Sequence, residues 1–155
     1  MDSDRLNRWL TLGANLGVLV GIGLLLVELD QNRDMMRAQT RNELSRGVLD
    51  LLGSLVENKE LADVMIRANN GEELTPTEGY IFGAQAERVF RYWENVHYQY
   101  RQGMYDESEF SKHLDTMQAV LIDNQALINF WCQKRSLYSA PFVVELDRLL
   151  AQQAC

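Results

Sequence analysis

Apolar residues are arranged in two ways along this chain. From Trp9 to Val27 (WLTLGANLGVLVGIGLLLV) they are continuous, with no charged side chain and only Thr11 and Asn15 clearly polar. After Glu28 they become periodic, recurring at the three- and four-residue steps that mark one face of a helix. A hydrocarbon core about 30 Å thick needs roughly 20 apolar residues at about 1.5 Å each. Residues 9–27 therefore predict a transmembrane helix preceded by a short tail over residues 1–8. The run exceeds the roughly 7–15 residues of a signal peptide's apolar region. Glu28-Leu29-Asp30-Gln31-Asn32-Arg33 follows it without a small-x-small cleavage site, which predicts an uncleaved anchor.

The periodic part predicts helices throughout. No Pro occurs between Glu28 and Val56, and Leu44, Val48, Leu51 and Leu55 recur on one face. This predicts a long helix over 28–57 that leaves the bilayer and enters a soluble domain spanning 28–155. Arg33, Arg37 and Arg41 precede the apolar row on the same face. They form a row suited to lipid phosphates, or pair within the helix, Arg33 with Asp30 and Arg37 with Asp34. Asn58 caps a short helix over 59–68 that Asn69-Asn70-Gly71 ends. Thr75-Pro76-Thr77-Glu78 reads as a capping box with Pro at the first position, opening a helix over 76–102 that Gly103 stops. Asp106 caps a helix over 107–122, Asp123 starts one over 124–135, and Ser139-Ala140-Pro141 opens the last, over 140–152. The expected fold class is all-α, with an irregular antiparallel bundle behind the anchor.

Charge and cysteine usage narrow the setting. The net charge of −7 argues against a nucleic-acid partner, which requires a basic face. Arg5 and Arg8 precede the span, whereas Arg33, Arg37, Arg41 and Arg46 follow it, so the positive-inside rule places the domain in the cytoplasm. Cys132 and Cys155 lack metal-ligand spacing and are expected as two free thiols in a reducing compartment.

Within the span, Gly13, Gly17 and Gly21 repeat at four-residue steps with Ala14 beside them. Missing side chains let a second helix backbone approach, and Asn15 near the edge offers an amide that gains about 0.6–2 kcal/mol from a partner in hydrocarbon. At about 100° per residue, Ala14, Gly17, Gly21, Leu24, Glu28 and Gln31 share one stripe. Besides lipid, the expected partner is a second copy or another membrane protein. The plain alternative is that Gly is common in membrane helices.

The densest chemical segment is Glu87–Arg101 (ERVFRYWENVHYQYR). Phe82, Val89, Trp93, Val96 and Tyr100 share a face and read as core. Glu94 and His97 form an E-x-x-H pair, a spacing used by di-iron carboxylate bundles. Those need two such motifs and two further carboxylates. One E-x-x-H occurs here, with Glu109 and His113 four apart, so neither a metal nor another cofactor is expected. His97 is expected to bond Glu94 or a backbone carbonyl. Glu94, Asn95, His97, Gln99 and Tyr100, with Tyr92 and Tyr98, are candidates for a polar ligand pocket between helices. Phosphate-loop, nucleophile-elbow and zinc-protease motifs are absent from the sequence, and Cys132 has no nearby His.

Three segments carry a resemblance: VELDQNRDMMRAQTRNEL after the span, RVFRYWENVHYQYRQGMYD, and FWCQKRSLYSAPFVVELDRLL. Together they resemble a group of small bacterial membrane proteins of unknown function. Its pattern is an apolar N-terminal helix, an E-x-x-Q-N-like stretch (Glu28, Gln31, Asn32), a Y-x-N-x-x-Y-Q-Y-like helix and a late S-P-x-F-like turn. Ala140, between Ser139 and Pro141, departs from that turn. The resemblance implies a bacterial inner-membrane setting and no activity. The sequence thus points to a membrane-anchored assembly protein without catalysis, a homo-oligomer or an accessory subunit of a membrane complex. The alternatives are a ligand- or metal-binding protein or enzyme using Glu94, His97 and Tyr100, and an oligomeric pore lined by Thr11, Asn15 and Glu28.

Overall fold

The structure, a computed structural model describing residues 3–150 and Cys155, is all-α, with no strand among the described residues. Six α-helices follow one another: α1 (Ser3–Glu57), α2 (Lys59–Asn69), α3 (Pro76–Arg101), α4 (Glu107–Ile122), α5 (Gln125–Lys134) and α6 (Ala140–Leu149), with a 3₁₀ turn at Arg135–Leu137. Ser3–Arg8, expected as a tail, belong to α1. The last two positions of the helix expected over 140–152 lie outside the described residues.

The chain divides into two compact units, Met1–Gln39 and Thr40–Cys155. The first contains the apolar run. By length and composition its helix can cross a membrane, and none of its most apolar window is buried. Leu16, Leu19, Ile22 and Leu25 are each at least half exposed.

Local chemistry sets the helix ends of the second unit. Asn58 accepts from Leu61 N at 3.0 Å. At the head of α3, Glu78 N donates to Thr75 Oγ1 (3.3 Å) while Thr75 N donates to Glu78 Oε2 (2.7 Å), completing a capping box. Gly71 and Gly103 take φ of 73° and 71°, the left-handed conformation that ends α2 and α3 at little steric cost. The cap of α5 is Asn124, which accepts from Leu127 N at 3.1 Å. Asp123, expected to start α5, instead closes α4.

The α2–α3 turn is fastened by Arg67, which reaches Glu78 Oε1 (2.5 Å), Glu72 Oε2 (3.3 Å) and the Glu73 carbonyl (3.0 Å). The hydrogen bond from Thr75 N, then that from Arg67, pulls the Glu78 carboxyl down to about 2. A depressed carboxylate stabilises the fold above its unfolded value of about 4.3 and loses that contribution as pH falls through the folded value. Acid titration of unfolding should therefore show a step between about pH 4 and pH 2, and Glu78→Gln should remove it. A step unchanged in Glu78→Gln would assign it to other carboxylates.

The main core gathers around Phe90 and Trp131, both fully buried, with Ala86, Met117, Phe142 and Leu146. Phe90 packs with ring centroids 5.3 Å from Trp93, 5.3 Å from Trp131 and 5.8 Å from Phe130. Trp131 Nε1 donates to Asp147 Oδ1 at 2.9 Å, so the indole is buried with its polar edge satisfied.

The part of α1 beyond Thr40 lies on this domain along one seam. Leu44 is buried, the Tyr92 hydroxyl donates to the Leu44 carbonyl at 3.1 Å, and Arg41 Nε stands 2.6 Å from Glu109 Oε1. Gly47 is required here, because a Cβ at this position would stand 2.9 Å from the Tyr92 ring. At Gly53 a Cβ would meet nothing within 4 Å. The two glycines should respond oppositely. Gly47→Val should destabilise by about 1–3 kcal/mol through overpacking, whereas Gly53→Ala should stabilise by up to about 1 kcal/mol through helix propensity. Denaturant midpoints of the two variants test this, and equal shifts would refute the seam.

The cysteines correct an expectation. Cys132 and Cys155 are joined in a disulfide with a Cα–Cα distance of 5.4 Å, not free thiols. The bond ties the end of the described chain to α5.

Candidate functional site

The polar residues singled out on α3 divide between its faces. Glu94 and His97 turn toward the segment around α6. Glu94 Oε1 accepts from the backbone N of Ser139, the residue preceding α6, at 2.7 Å, and Oε2 accepts from Arg91 Nη1 at 2.9 Å. Burial opposes ionisation of Glu94, but the hydrogen bonds from Ser139 and Arg91 outweigh it, and its carboxyl lies below the usual range. A carboxylate held in this way serves as a bracket for the start of α6.

His97 makes no hydrogen bond to Glu94. It is buried, with ring centroids 6.0 Å from Phe110 and 5.8 Å from Phe142, and lines a narrow crevice with Leu114 and Glu145. Burial pushes the imidazole below its ordinary value, with the charge of Glu145 opposing. A neutral ring among apolar neighbours is a packing element. The expected bond to Glu94 fails because that carboxylate is committed to Ser139 and Arg91.

Tyr100 stacks face to face on Phe110 at 4.0 Å. Asn95 is exposed, and Gln99 Nε2 lies 3.5 Å from Asn95 Oδ1, a weak surface contact. Tyr98 is exposed as well. The five pocket candidates are thus distributed among a bracket, a core and a surface. Among the described residues no group of three His, Cys, Asp or Glu side chains is placed to hold a metal.

Sequence reasoning did not single out Arg91, although its spacing from Glu87 and Glu94 is that of helical ion pairs. Its guanidinium reaches Glu87 Oε1 (2.7 Å), Glu94 Oε2 (2.9 Å) and the Leu137 carbonyl (3.3 Å), and lies 4.3 Å from the Tyr138 ring centroid. The Tyr138 hydroxyl donates to Glu87 Oε2 at 3.0 Å. Two carboxylates, one cation and one phenol thereby lock the 3₁₀ turn onto α3.

An open groove of about 550 Å³ runs beside α4, lined by Tyr105, Ser108, Glu109, Lys112, His113 and Thr116. His113 Nε2 is buried without a hydrogen-bond partner, its ring stands edge-on to Tyr92 at 5.6 Å, and burial lowers its pKa to about 4. Glu109, in the same groove, pairs with Arg41 at 2.6 Å.

The residues expected to act in the bilayer are open. A Cβ built at Gly13, Gly17 or Gly21 meets nothing within 4 Å, and Ala14 and Asn15 are exposed. Thr11 Oγ1 donates to the Asn7 carbonyl at 2.9 Å, satisfying its hydroxyl within the helix. Arg33 and Arg37 are exposed in the first unit, while Arg41 belongs to the second, where it pairs with Glu109. The chain matches no protein-family model, no curated protein and no solved structure.

Proposed function

We propose that this is a membrane-anchored helical assembly protein, built on a single pass of the inner membrane of a bacterium and working through contact with its own copies or as an accessory subunit of a membrane complex. One observation carries this reading. The most apolar window of a helix long enough to span a bilayer has no buried residue, and its small residues, Gly13, Gly17 and Gly21, have open space beside them. Helices in lipid gain contact energy where small residues let backbones approach. Arg67, Glu78, Arg91 and Glu94 of the helical domain, in contrast, are used in caps, brackets and ion pairs that hold its own helices.

Lipid is the medium of the anchor, and the exposed Arg33 and Arg37 suit the phosphates at its edge. For orientation, the arginine count and the disulfide point in opposite directions. We place the domain on the oxidising face, because structural disulfides persist there and long domains translocate largely regardless of charge.

Native mass spectrometry of the protein gently extracted from its membrane tests the reading. An integer multiple of 17.9 kDa establishes a homo-oligomer, and a mass containing foreign chains establishes an accessory subunit. A bare monomer that stays monomeric in lipid nanodiscs would overturn it. Gly17→Leu with Gly21→Leu should reduce the assembled mass, and an unchanged mass would remove the small-residue face from the proposal.

A further inference from the structure

The part of α1 beyond Thr40 meets the domain through a small cluster of side chains. Leu44 is the one buried residue of α1 among the described residues. Its carbonyl accepts from the Tyr92 hydroxyl at 3.1 Å, and the Tyr92 ring lies so close to Gly47 that a Cβ there would stand 2.9 Å from it. Farther along, Gln85 Nε2 is 3.4 Å from Ser54 Oγ, a weak contact. Tyr92 thus makes both a polar and a close steric contact between α3 and this stretch of α1.

Tyr92 has a further neighbour on α4. The His113 ring stands edge-on to it, with centroids 5.6 Å apart. His113 Nε2 is shut off from solvent and has no hydrogen-bond partner. A neutral imidazole tolerates such a site, since one of its nitrogens carries no proton. Imidazolium presents a donor at both nitrogens, and a buried, unpaired charge is far costlier than a buried, unpaired dipole. The titratable groups around the ring offer no acceptor. On α4, Lys112 is a cation, and Glu109 is paired with Arg41 of α1 at 2.6 Å. Tyr105, ahead of α4, lines the same groove, and the Tyr92 hydroxyl on α3 is committed to Leu44. A proton on Nε2 therefore requires the ring to reach water, and Tyr92 is packed against that ring.

We propose that the α1 seam is released by acid: protonation of His113 moves the Tyr92 ring off α1, breaks its bond to the Leu44 carbonyl and frees the part of α1 beyond Thr40 from the domain. The device goes beyond the assembly reading and does not depend on copies associating. Its sign follows from burial. In the closed seam burial holds the imidazole down at about 4, whereas in the open seam water returns it to its ordinary value of about 6.5. The open seam therefore takes up the proton first. Closure weakens as pH falls below about 6.5, and the loss levels off below about 4. At pH 4.5 the balance should have moved toward the open seam by about 50–100-fold.

The deciding measurement is the distance between nitroxides carried on noncanonical residues at Ser45 of α1 and Ser111 of α4, both exposed. It uses the full chain in lipid nanodiscs, diluted with unlabelled chain so that only pairs within one copy are read, from pH 7.5 to pH 4.5. That range lies above the value of about 2 at which Glu78 is held. A single short distance is expected at pH 7.5, with a longer component growing as pH falls from about 6.5. His113→Leu should keep the short distance throughout. A short distance in the unsubstituted chain at pH 4.5, or the same lengthening in His113→Leu, would overturn the proposal. If His113→Leu is already open at pH 7.5, Tyr92→Phe decides. Losing the bond to Leu44 should move release to higher pH, and release at an unchanged pH would overturn the proposal.

Discussion

Phe90→Ala is expected to cost about 3–5 kcal/mol, the range for truncating a large aromatic side chain in a core that cannot collapse around the loss. Phe90 is fully buried where α3 meets α5. Its ring is stacked on Phe130 and Trp131, both from α5, and is edge-on to Trp93 of its own helix. It also meets Tyr138, 6.2 Å away, beside the 3₁₀ turn. Removing it leaves a void bounded by flat, rigid rings that cannot move inward together. A domain of this size has about 5–15 kcal/mol of stability in all, so the variant should stand near the threshold of folding. Urea unfolding followed by tryptophan fluorescence measures the loss directly, because Trp93 and Trp131 both touch the deleted ring. Tyr98→Ala, which truncates an exposed ring on the same helix, should shift the midpoint by less than about 0.5 kcal/mol. A Phe90→Ala cost as small as that of Tyr98→Ala would place the core elsewhere.

The all-α class and the helix starts were legible in the sequence because they depend on short-range chemistry. Thr75, Pro76 and Glu78 lie within one turn, and the hydrogen bonds they predict are those that form. Asp123 and Asn124 show the limit of such reading. Both residues cap helices well, and because Asp123 still closes α4, Asn124 is the one that caps α5. The candidate pocket failed to be legible for a different reason. Glu94 and His97 share a face, as their spacing dictates, yet the group that claims Glu94 is the Ser139 amide, 45 residues further along the chain. Nothing local to the E-x-x-H motif announces that partner. The row of α1 that packs on the domain was legible from its spacing, with Leu44 buried and Leu51 and Leu55 half-buried, whereas the second apolar row at Leu49, Leu52 and Val56, which is exposed, was not singled out.

Both cysteines are expected to resist alkylation in denatured, unreduced protein and to react fully after reduction, because Cys132 and Cys155 are bonded to each other. They are separated by 23 residues, and closing a loop of that length restricts the unfolded chain by about 3 kcal/mol in the loop-entropy account. Reduction, or Cys132→Ser with Cys155→Ser, should lower stability by about that amount. The same labelling decides the side of the membrane. The four arginines following the span outnumber the two preceding it, which by charge alone holds the domain in the cytoplasm. There, thiol buffers would keep the pair reduced. Charge and disulfide therefore make opposite predictions for one measurement. In protein quenched with acid directly from cells, a disulfide at full occupancy supports the domain on the oxidising face. Fully alkylated thiols would refute that placement and restore the arginine count as the stronger signal. A protease added to sealed, right-side-out membranes should then cut within the domain, since the loops at Gly71 and Gly103 join helices in the part that would face outward. Protection from that protease, combined with free thiols, would place the whole domain inside.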